Sequence, residues 1–539
     1  MTLSTLLLIP LAGALLIIAW PQAQHIKQLA LWIAGLLLVW TVYVLSQFQT
    51  AVSGLQLTTV LAWLPDLGLN YSLAVDGLSL PLLMLSSVLT WIAIYSSPAE
   101  LERPKLYYSL IFIVNIGVAG SLLAQNLLLF FLFYELELIP FYLLVSIWGG
   151  EQKSYAATKF LLYTALSGIL ILLGFLGLTW LSGSTSFEYI DLDTTTIPRN
   201  LQLVLLTILL VGFGIKTPLV PLHTWQPDVY VEASPPIAIL LGGVLAKLGT
   251  YGLIRFCLQL FPEAWDLVAP GLAAIGTFSV MYGALSAIAQ SDVKRMVAYS
   301  SIGHMGYILV AAAAGNTLSL TGAIAQMVSH GLILALLFHL LGLVETKVGT
   351  RDLNKLNGLM NPVRGLPMVS ALLVVAGMAS AGIPGLVGFI AEYMVFQGSF
   401  ARFPIPTLLC IIASGLTAVY FVILINRTCF GRLDSQTAYY PKVTVPERAP
   451  ALILTVMILI LGLQPMWLTR WSENTADAIV AAVPQVGVVA EIPSRGLDSR
   501  GSVVDAQSIA LATSAHAIQL EDSRSIALSP PSPPILGGE

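Results

Sequence analysis

The sequence predicts an all-α polytopic membrane protein of about 14 transmembrane helices. Of its 539 residues, 57% are hydrophobic and only 10% are charged, whereas soluble domains carry about 25% charged residues. The apolar residues also fall in successive runs of roughly the 20 residues needed to cross a bilayer. The basic residues, finally, gather in alternate loops, as alternating helices require.

The first run, residues 2–20, has no positively charged leader and no small-residue cleavage site, so it reads as a retained helix and not a signal peptide. Further spans centre near Gly35, Ser87, Ile116, Glu135, Ile169, Leu210, Gly243, Thr277, Gly306, Leu332, Ala379, Gly415 and Ile458. The stretch 311–317 is the weakest of the breaks between them. One set of loops holds Lys27, Arg103, Lys105, Lys153, Lys294, Arg295, Lys347, Arg351, Lys355, Arg364, Arg427, Arg432, Lys442 and Arg448. The other holds little beyond Arg199 and Arg402, with acidic Asp66, Asp76, Glu188, Asp191 and Asp193. The positive-inside rule places the basic set in the cytoplasm and both termini on the opposite side. One cytoplasmic loop, carrying His223, Asp228 and Glu232, has no Lys or Arg, which points to a special task or to burial under another element. Trp20, Trp148, Trp180, Trp265, Trp467 and Trp471 lie near helix ends, as in an aromatic belt. From Ser472 onward the chain is polar and ends in SPPSPPILGGE, a composition expected to be poorly ordered.

The formal net charge of −4 and the lack of a basic block give no reason to expect nucleic acid. Cys257, Cys410 and Cys429 are isolated, with no spacing for a metal, an iron–sulfur cluster or a disulfide framework, and read as small core residues. There is no GxGxxG after a strand and no P-loop. The chain is expected to bind no nicotinamide, flavin, iron–sulfur centre or metal, and so to perform no redox chemistry alone.

Charge inside the bilayer costs about 2.5–3.5 kcal/mol even on insertion scales, so buried ionisable residues carry the functional signal. Glu135 stands within LLLFFLFYELELIPFYLLV. Glu137 lies two positions on, about 200° around a regular helix, and is expected on another face. Lys216 is followed by Pro218 and Pro221, which deprive the helix of donors and break it. Broken helices at membrane depth are tolerated where they line a wet or protein-walled cavity. A snorkelling lysine is the plain alternative, but apolar chain continues on both sides. Lys247 sits in IAILLGGVLAKLGTYGLIRF, with Arg255 at the helix end as an interfacial anchor. Glu392 follows a second interruption marked by Gly382, Pro384, Gly385 and Gly388. Two interrupted helices, each with an ionisable residue, are a sequence pointer to inverted repeats in transporters. His304 and His330 lie within spans and are relay candidates, though a lone helical histidine is often a satisfied core group. His339 points away from His330, and His223 belongs to the break after Lys216.

The phrases FYELELIPFY, KTPLVPLHTWQPD, LAKLGTYGLIR, SSIGHMG, QMVSHG and GIPGLVGFIAE, in this order, resemble the antiporter-like membrane subunits of complex I. The likeness covers about residues 1–470 and is nearest to the chain 4 type of NAD(P)H–quinone oxidoreductase. YELELIPFYLLVSIWGG is similar to its cyanobacterial and chloroplast branch. The resemblance implies two inverted five-helix repeats with one broken helix each. The resulting division is N-terminal helices over 1–100, repeats over 101–260 and 261–432, a last helix within 433–471 and the polar tail over 472–539. It implies a Glu135–Lys216 charge pair, Lys247 as central proton carrier and Glu392 as exit residue. It also implies a thylakoid complex that reduces plastoquinone, with iron–sulfur centres and quinone in partner subunits and with nicotinamide or ferredoxin as donor. The lipid bilayer, protons and the other membrane and peripheral subunits are the expected partners. Alternatives that share the charged helices are an Mrp-type cation–proton antiporter subunit, the variant subunit of a carbon dioxide uptake complex, and a hydrogenase-linked homologue. An inert membrane spacer would have no reason to bear the cost of four buried charges.

Overall fold

The computed structural model describes residues 2–431, 433 and 440–481. Among them, 13 helices are long and apolar enough to cross a membrane. They begin with α1 (Thr2–Ala19) and α2 (Ile26–Gln47), followed by α3 (Ser79–Ser96) and α4 (Pro104–Leu123). The fifth span is divided into α5 (Leu127–Leu136) and α6 (Leu138–Trp148), and α7 (Lys153–Leu181) and α8 (Arg199–Lys216) follow. The short α9 (Trp225–Glu232) leads into a composite span of α10 (Pro235–Leu240) and α11 (Ala246–Gly252), with π-helical turns at Leu241–Leu245 and Leu253–Leu258. Then come α12 (Pro262–Ile288), α13 (Val293–Ala314) and α14 (Thr317–Val348). The run centred near Ala379 is two half-helices, α15 (Pro367–Ser380) and α16 (Val387–Phe400). The long α17 (Pro404–Thr428) and α18 (Val445–Leu463) close the bundle, with short α19 (Met466–Thr469) and α20 (Glu473–Ala481) after them. With the interrupted α15–α16 counted as one crossing, this matches the helices expected from hydropathy.

The weak break at 311–317 is sharply made. Gly315 ends α13 in the left-handed conformation, φ 62°, and Asn316 starts α14 with a capping box to Ser319, satisfying the free N–H groups of the new helix. The spans differ in burial. α10–α11, α13 and α14 are almost wholly enclosed, whereas α1, α2 and α18 present most of their length outward. The interior is therefore built around the helices that carry Lys247, His304 and His330.

The close packing of α12 on α13 depends on glycine. A Cβ on Gly306 would lie 2.6 Å from the Gly276 carbonyl oxygen, and one on Gly283 would lie 2.7 Å from the Gly303 nitrogen. Small residues of this kind let transmembrane backbones approach each other.

The structure adds one short hairpin to the all-α fold, and two expectations need correction. The hairpin is β1 (Gln56–Leu64) paired antiparallel with β2 (Leu69–Val75) and turned at Gly68, φ 64°. Strands this short escape a pattern search tuned to 20-residue spans. The polar tail is ordered at its start: α20 buries Thr475, Ala476, Ile479 and Val480. Its Thr475 hydroxyl accepts from the Gly77 amide at 3.0 Å, and Asp477 accepts from Thr317 at 2.6 Å. The i, i+1, i+4, i+5 burial is one helix face, which the polar composition concealed; residues 482–539 lie outside the described residues. Trp265, expected in the aromatic belt, is a core residue whose indole donates to the Ala312 carbonyl at 3.3 Å. Trp180 and Trp467, by contrast, are exposed, as a belt requires. All three cysteines are buried and free.

Candidate functional site

The break after Lys216 follows from its prolines. Pro218 cannot donate to the Gly214 carbonyl, and Leu219 does so at 3.0 Å. The Ile215 carbonyl thus released takes the Trp225 indole N–H at 2.8 Å. The Phe213, Gly214 and Ile215 carbonyls are thus satisfied where the helix ends, and Lys216 is buried inside the protein. At Gly249 of α11, a Cβ would sit 2.7 Å from the Thr217 nitrogen, so only glycine lets α11 lie against this break.

The Lys216 ammonium sits 2.6 Å from Glu137 Oε1 and 3.4 Å from the Tyr134 ring centroid, and it also donates to the Tyr134 carbonyl at 3.4 Å. Lys216 and Glu137 are both fully buried. This corrects the expected Glu135–Lys216 pair. Pro140 cannot donate to the Leu136 carbonyl, and the helix divides at Glu137. The two acids do point to different faces, as their spacing requires, but Glu137 is the one turned toward α8. Glu135 is half-buried, with its carboxyl against Gly168 of α7.

Lys247 stands two residues past the end of the first π-helical stretch, after Ala246. Its Nζ donates to the Gly242 carbonyl at 2.5 Å and approaches His330 Nδ1 at 2.7 Å. π-turns are wider than α-turns and recur at functional sites; here one lets a lysine fold back on its own helix while reaching α14. The imidazoles of His330 and His304 lie 5.2 Å apart, centroid to centroid. His304 Nδ1 is 3.6 Å from Glu392 Oε1 and 3.1 Å from Gln326 Nε2, and its Nε2 is 3.2 Å from Ser380 Oγ. Ser414 donates to the other Glu392 oxygen at 2.8 Å.

The second broken helix makes this meeting possible. α15 stops at Ser380, Gly382 and Gly385 adopt φ 69° and 90°, and α16 restarts to bring Glu392 back beside Ser380. His304, Gln326, Ser329, His330, Ser380 and Glu392 share one small cavity. Gln326 Oε1, Ser329 Oγ and His330 Nε2, in the residues that line it, have no protein hydrogen-bond partner. The result is a line of titratable groups, Lys247, His330, His304 and Glu392, in an otherwise apolar interior.

Two candidates stand apart from this line. The His339 ring nitrogen is 3.0 Å from the Glu447 carbonyl at the start of α18. His223 lies in the loop after the α8 break, edge-on to Tyr282 at 4.9 Å. Burial holds its imidazole below the ordinary histidine range, more than the Pro221 backbone raises it. The loop without basic residues is supplied from elsewhere: Asp228 pairs with Lys159 at 2.8 Å and Arg295 at 3.0 Å, and Glu232 with Arg351 at 3.6 Å.

Two ion pairs escaped the sequence reading, one of them fully buried. Lys294, taken as a loop cation, pairs with Glu345 at 2.6 Å. Arg255, taken as an interfacial anchor, is buried and bonded to Asp76, with Gln259 at 3.0 Å. The Asp76 carboxylate also accepts the Leu78 and Ser79 amides that open α3. An aspartate just ahead of an apolar helix was a signal for this capping role, but not for the pair with Arg255.

Residues 124–417 match the family described as NADH:quinone oxidoreductase/Mrp antiporter, TM. The chain is 40% identical over 490 residues to NAD(P)H-quinone oxidoreductase chain 4 1 of Synechococcus sp. (strain JA-3-3Ab), covering 89% of this chain and 93% of that one. It is 38% identical over 493 residues to NAD(P)H-quinone oxidoreductase chain 4 2 of Thermosynechococcus vestitus (strain NIES-2133 / IAM M-273 / BP-1), covering 89% and 92%. A chain of respiratory complex I from Thermus thermophilus with bound NADH superposes with a TM-score of 0.82 at 26% identity, over 90% of this chain and all of that one. A chain of the Mrp complex from Dietzia sp. DQ12-45-1b shares the fold, with a TM-score of 0.78 at 21% identity, over 89% and 99%.

Proposed function

The chain belongs to the antiporter-like transmembrane family of NADH:quinone oxidoreductases and Mrp complexes, and we propose that it carries protons as the chain 4 type subunit of a cyanobacterial plastoquinone oxidoreductase. The observation that carries this reading is the continuous line Lys247–His330–His304–Glu392. Lys247 Nζ is 2.7 Å from His330, the two imidazole centroids are 5.2 Å apart, and His304 is 3.6 Å from Glu392, so small ring movements close the remaining gaps, and histidines hand protons on near neutral pH. The Lys216–Glu137 pair lies in the preceding half. Opening or closing that pair changes the field at Lys247 through a medium of low dielectric, so the pair acts as the switch and the lysine as the carrier. Glu135, beside Glu137 in sequence, is the second carboxylate available to Lys216 when the pair opens. The segments 101–260 and 261–432 would then be the two half-pathways.

Partner membrane and peripheral subunits would hold the iron–sulfur centres and bind plastoquinone, leaving this chain to move protons without redox chemistry of its own. The cyanobacterial relatives favour the thylakoid membrane, and the basic loops favour the cytoplasm, with the N-terminus and α20 on the lumenal side. The level of identity to chain 4 favours this reading over an Mrp antiporter subunit.

The direct test replaces Lys247 with Met, which keeps most of the volume and removes the titratable group. Proton uptake per electron in reconstituted vesicles, normalised to assembled complex, should fall to background. Lys247→Arg should also fail, because a guanidinium does not release its proton at usable pH. Wild-type uptake in the Met variant would remove Lys247 from the path.

A further inference from the structure

An apolar groove of about 560 Å³ runs down the outside of the bundle between α2, α3, α14 and α18 and opens outward. Its walls are almost wholly hydrocarbon, with Val42, Met84, Leu332 and Met457 among them. Its depth from Pro81 to Val88 is two turns of α3, about 10 Å. The rim differs in chemistry. Trp467, Arg470 and Trp471 close one end of the groove. Arg470 is exposed and lies 4.8 Å from the Trp471 ring. It makes no ion pair among the described residues.

A guanidinium held on an indole face at the bilayer surface, with its N–H fork unused, matches a phosphate diester. The apolar channel beneath it matches acyl chains. We propose that this groove seats one anionic diacyl phospholipid, its phosphate on Arg470 and its chains against α3 and α18. Charge complementarity selects the anionic head, and the depth of apolar wall directly below that charge selects a lipid over a soluble anion. The site also lies close to the pathway: Leu85 lines the groove and, on its other side, the small cavity beside Lys247. The chain of the bound lipid would therefore back the wall of the Lys247 compartment. The lipid site itself stands whether or not protons use that compartment.

The test uses the intact complex in nanodiscs with photoactivatable phosphatidylglycerol or phosphatidylcholine, the reactive group being on the acyl chain. Labelling is read by mass spectrometry on the peptides containing Met84 and Met457. Phosphatidylglycerol should label both about fivefold more strongly than phosphatidylcholine, the advantage of one surface arginine for an anionic lipid. Arg470→Gln should abolish that preference while leaving phosphatidylcholine labelling unchanged. Ser46→Trp, which fills the groove from an exposed position on α2, should remove labelling by both lipids. Equal labelling by the two headgroups in the unaltered protein, a preference that survives Arg470→Gln, displacement of the lipid by excess quinone, or no labelling at either methionine would each overturn the proposal.

Discussion

Lys216 meets Glu137, at 2.6 Å, across two buried helix interruptions, one at the end of α8 and one between α5 and α6. Each interruption is set by a proline that withholds one N–H: Pro218 after Lys216 and Pro140 after Glu137. The charge pair is therefore placed where the backbone on both sides can adjust, and its opening need not disturb a continuous helix.

Breaking this pair by truncating one partner should be costly, about 3–5 kcal/mol for a buried pair left with one charge. Glu137→Gln should thus reduce proton uptake per electron more severely than Glu135→Gln, measured on assembled complex in vesicles. A variant pair with the opposite ranking would return the role to Glu135.

The histidine line makes a second prediction. His330→Leu and His304→Leu should each cut proton flux on the order of 100-fold, the usual scale for losing a positioned proton-transfer group. His339→Leu should leave flux within twofold or so of normal, since among the described residues its ring meets the Glu447 carbonyl and none of the line Lys247–His330–His304–Glu392. Equal losses at His339 and His330 would mean that the cavity around His304 is not the route.

Asp76 and Arg255 give a prediction about stability. Burial opposes the Asp76 charge, but Arg255 and the Ser79 and Leu78 amides outweigh it and hold the carboxyl below its ordinary value. A carboxylate depressed on folding contributes stability in full above its unfolded value, about 3.9, and loses it as pH falls through the lower folded value. Asp76→Asn should lower the melting temperature of the complex at pH 7, and the gap between variant and parent should close below about pH 4. A gap that persists undiminished in acid would show that packing at the start of α3, and not the charge, is what the substitution damages.

Topology is open to a simple check. A cysteine at Asn354, in the basic loop between α14 and α15, should react with an impermeant maleimide only from the cytoplasmic side. One at Asn474 on α20 should react only from the other side. Reaction of both from one side would defeat the alternation of spans.

Much of the fold was legible because a bilayer imposes a length on every crossing, and length survives in sequence without tertiary knowledge. Lys216, Lys247 and Glu392 stood out for a related reason: a charge in a 20-residue apolar run has no local explanation. What sequence could not decide was partnership. Glu135 and Glu137 are both acids in one apolar run, and only the position of α8 tells which one faces Lys216. Arg255 looked like an anchor because Asp76, its partner, is far away in sequence. The π-turns around Lys247 left no signature beyond Gly242 and Gly243, since a wider turn is chosen by packing and not by propensity.

The glycine contacts between α12 and α13 restrict what His304 can do. Gly303 and Gly306 flank it and sit directly on the backbone of α12, so α13 cannot slide or roll at this level without carrying its neighbour along. Two long helices locked in this way are heavy and slow to move. What remains to move is the His304 side chain, whose buried ring is held by Gln326 and Ser380 and turns only when those bonds break. Gating at this step should consequently be a matter of ring orientation between His330 and Glu392, with the scaffold standing still.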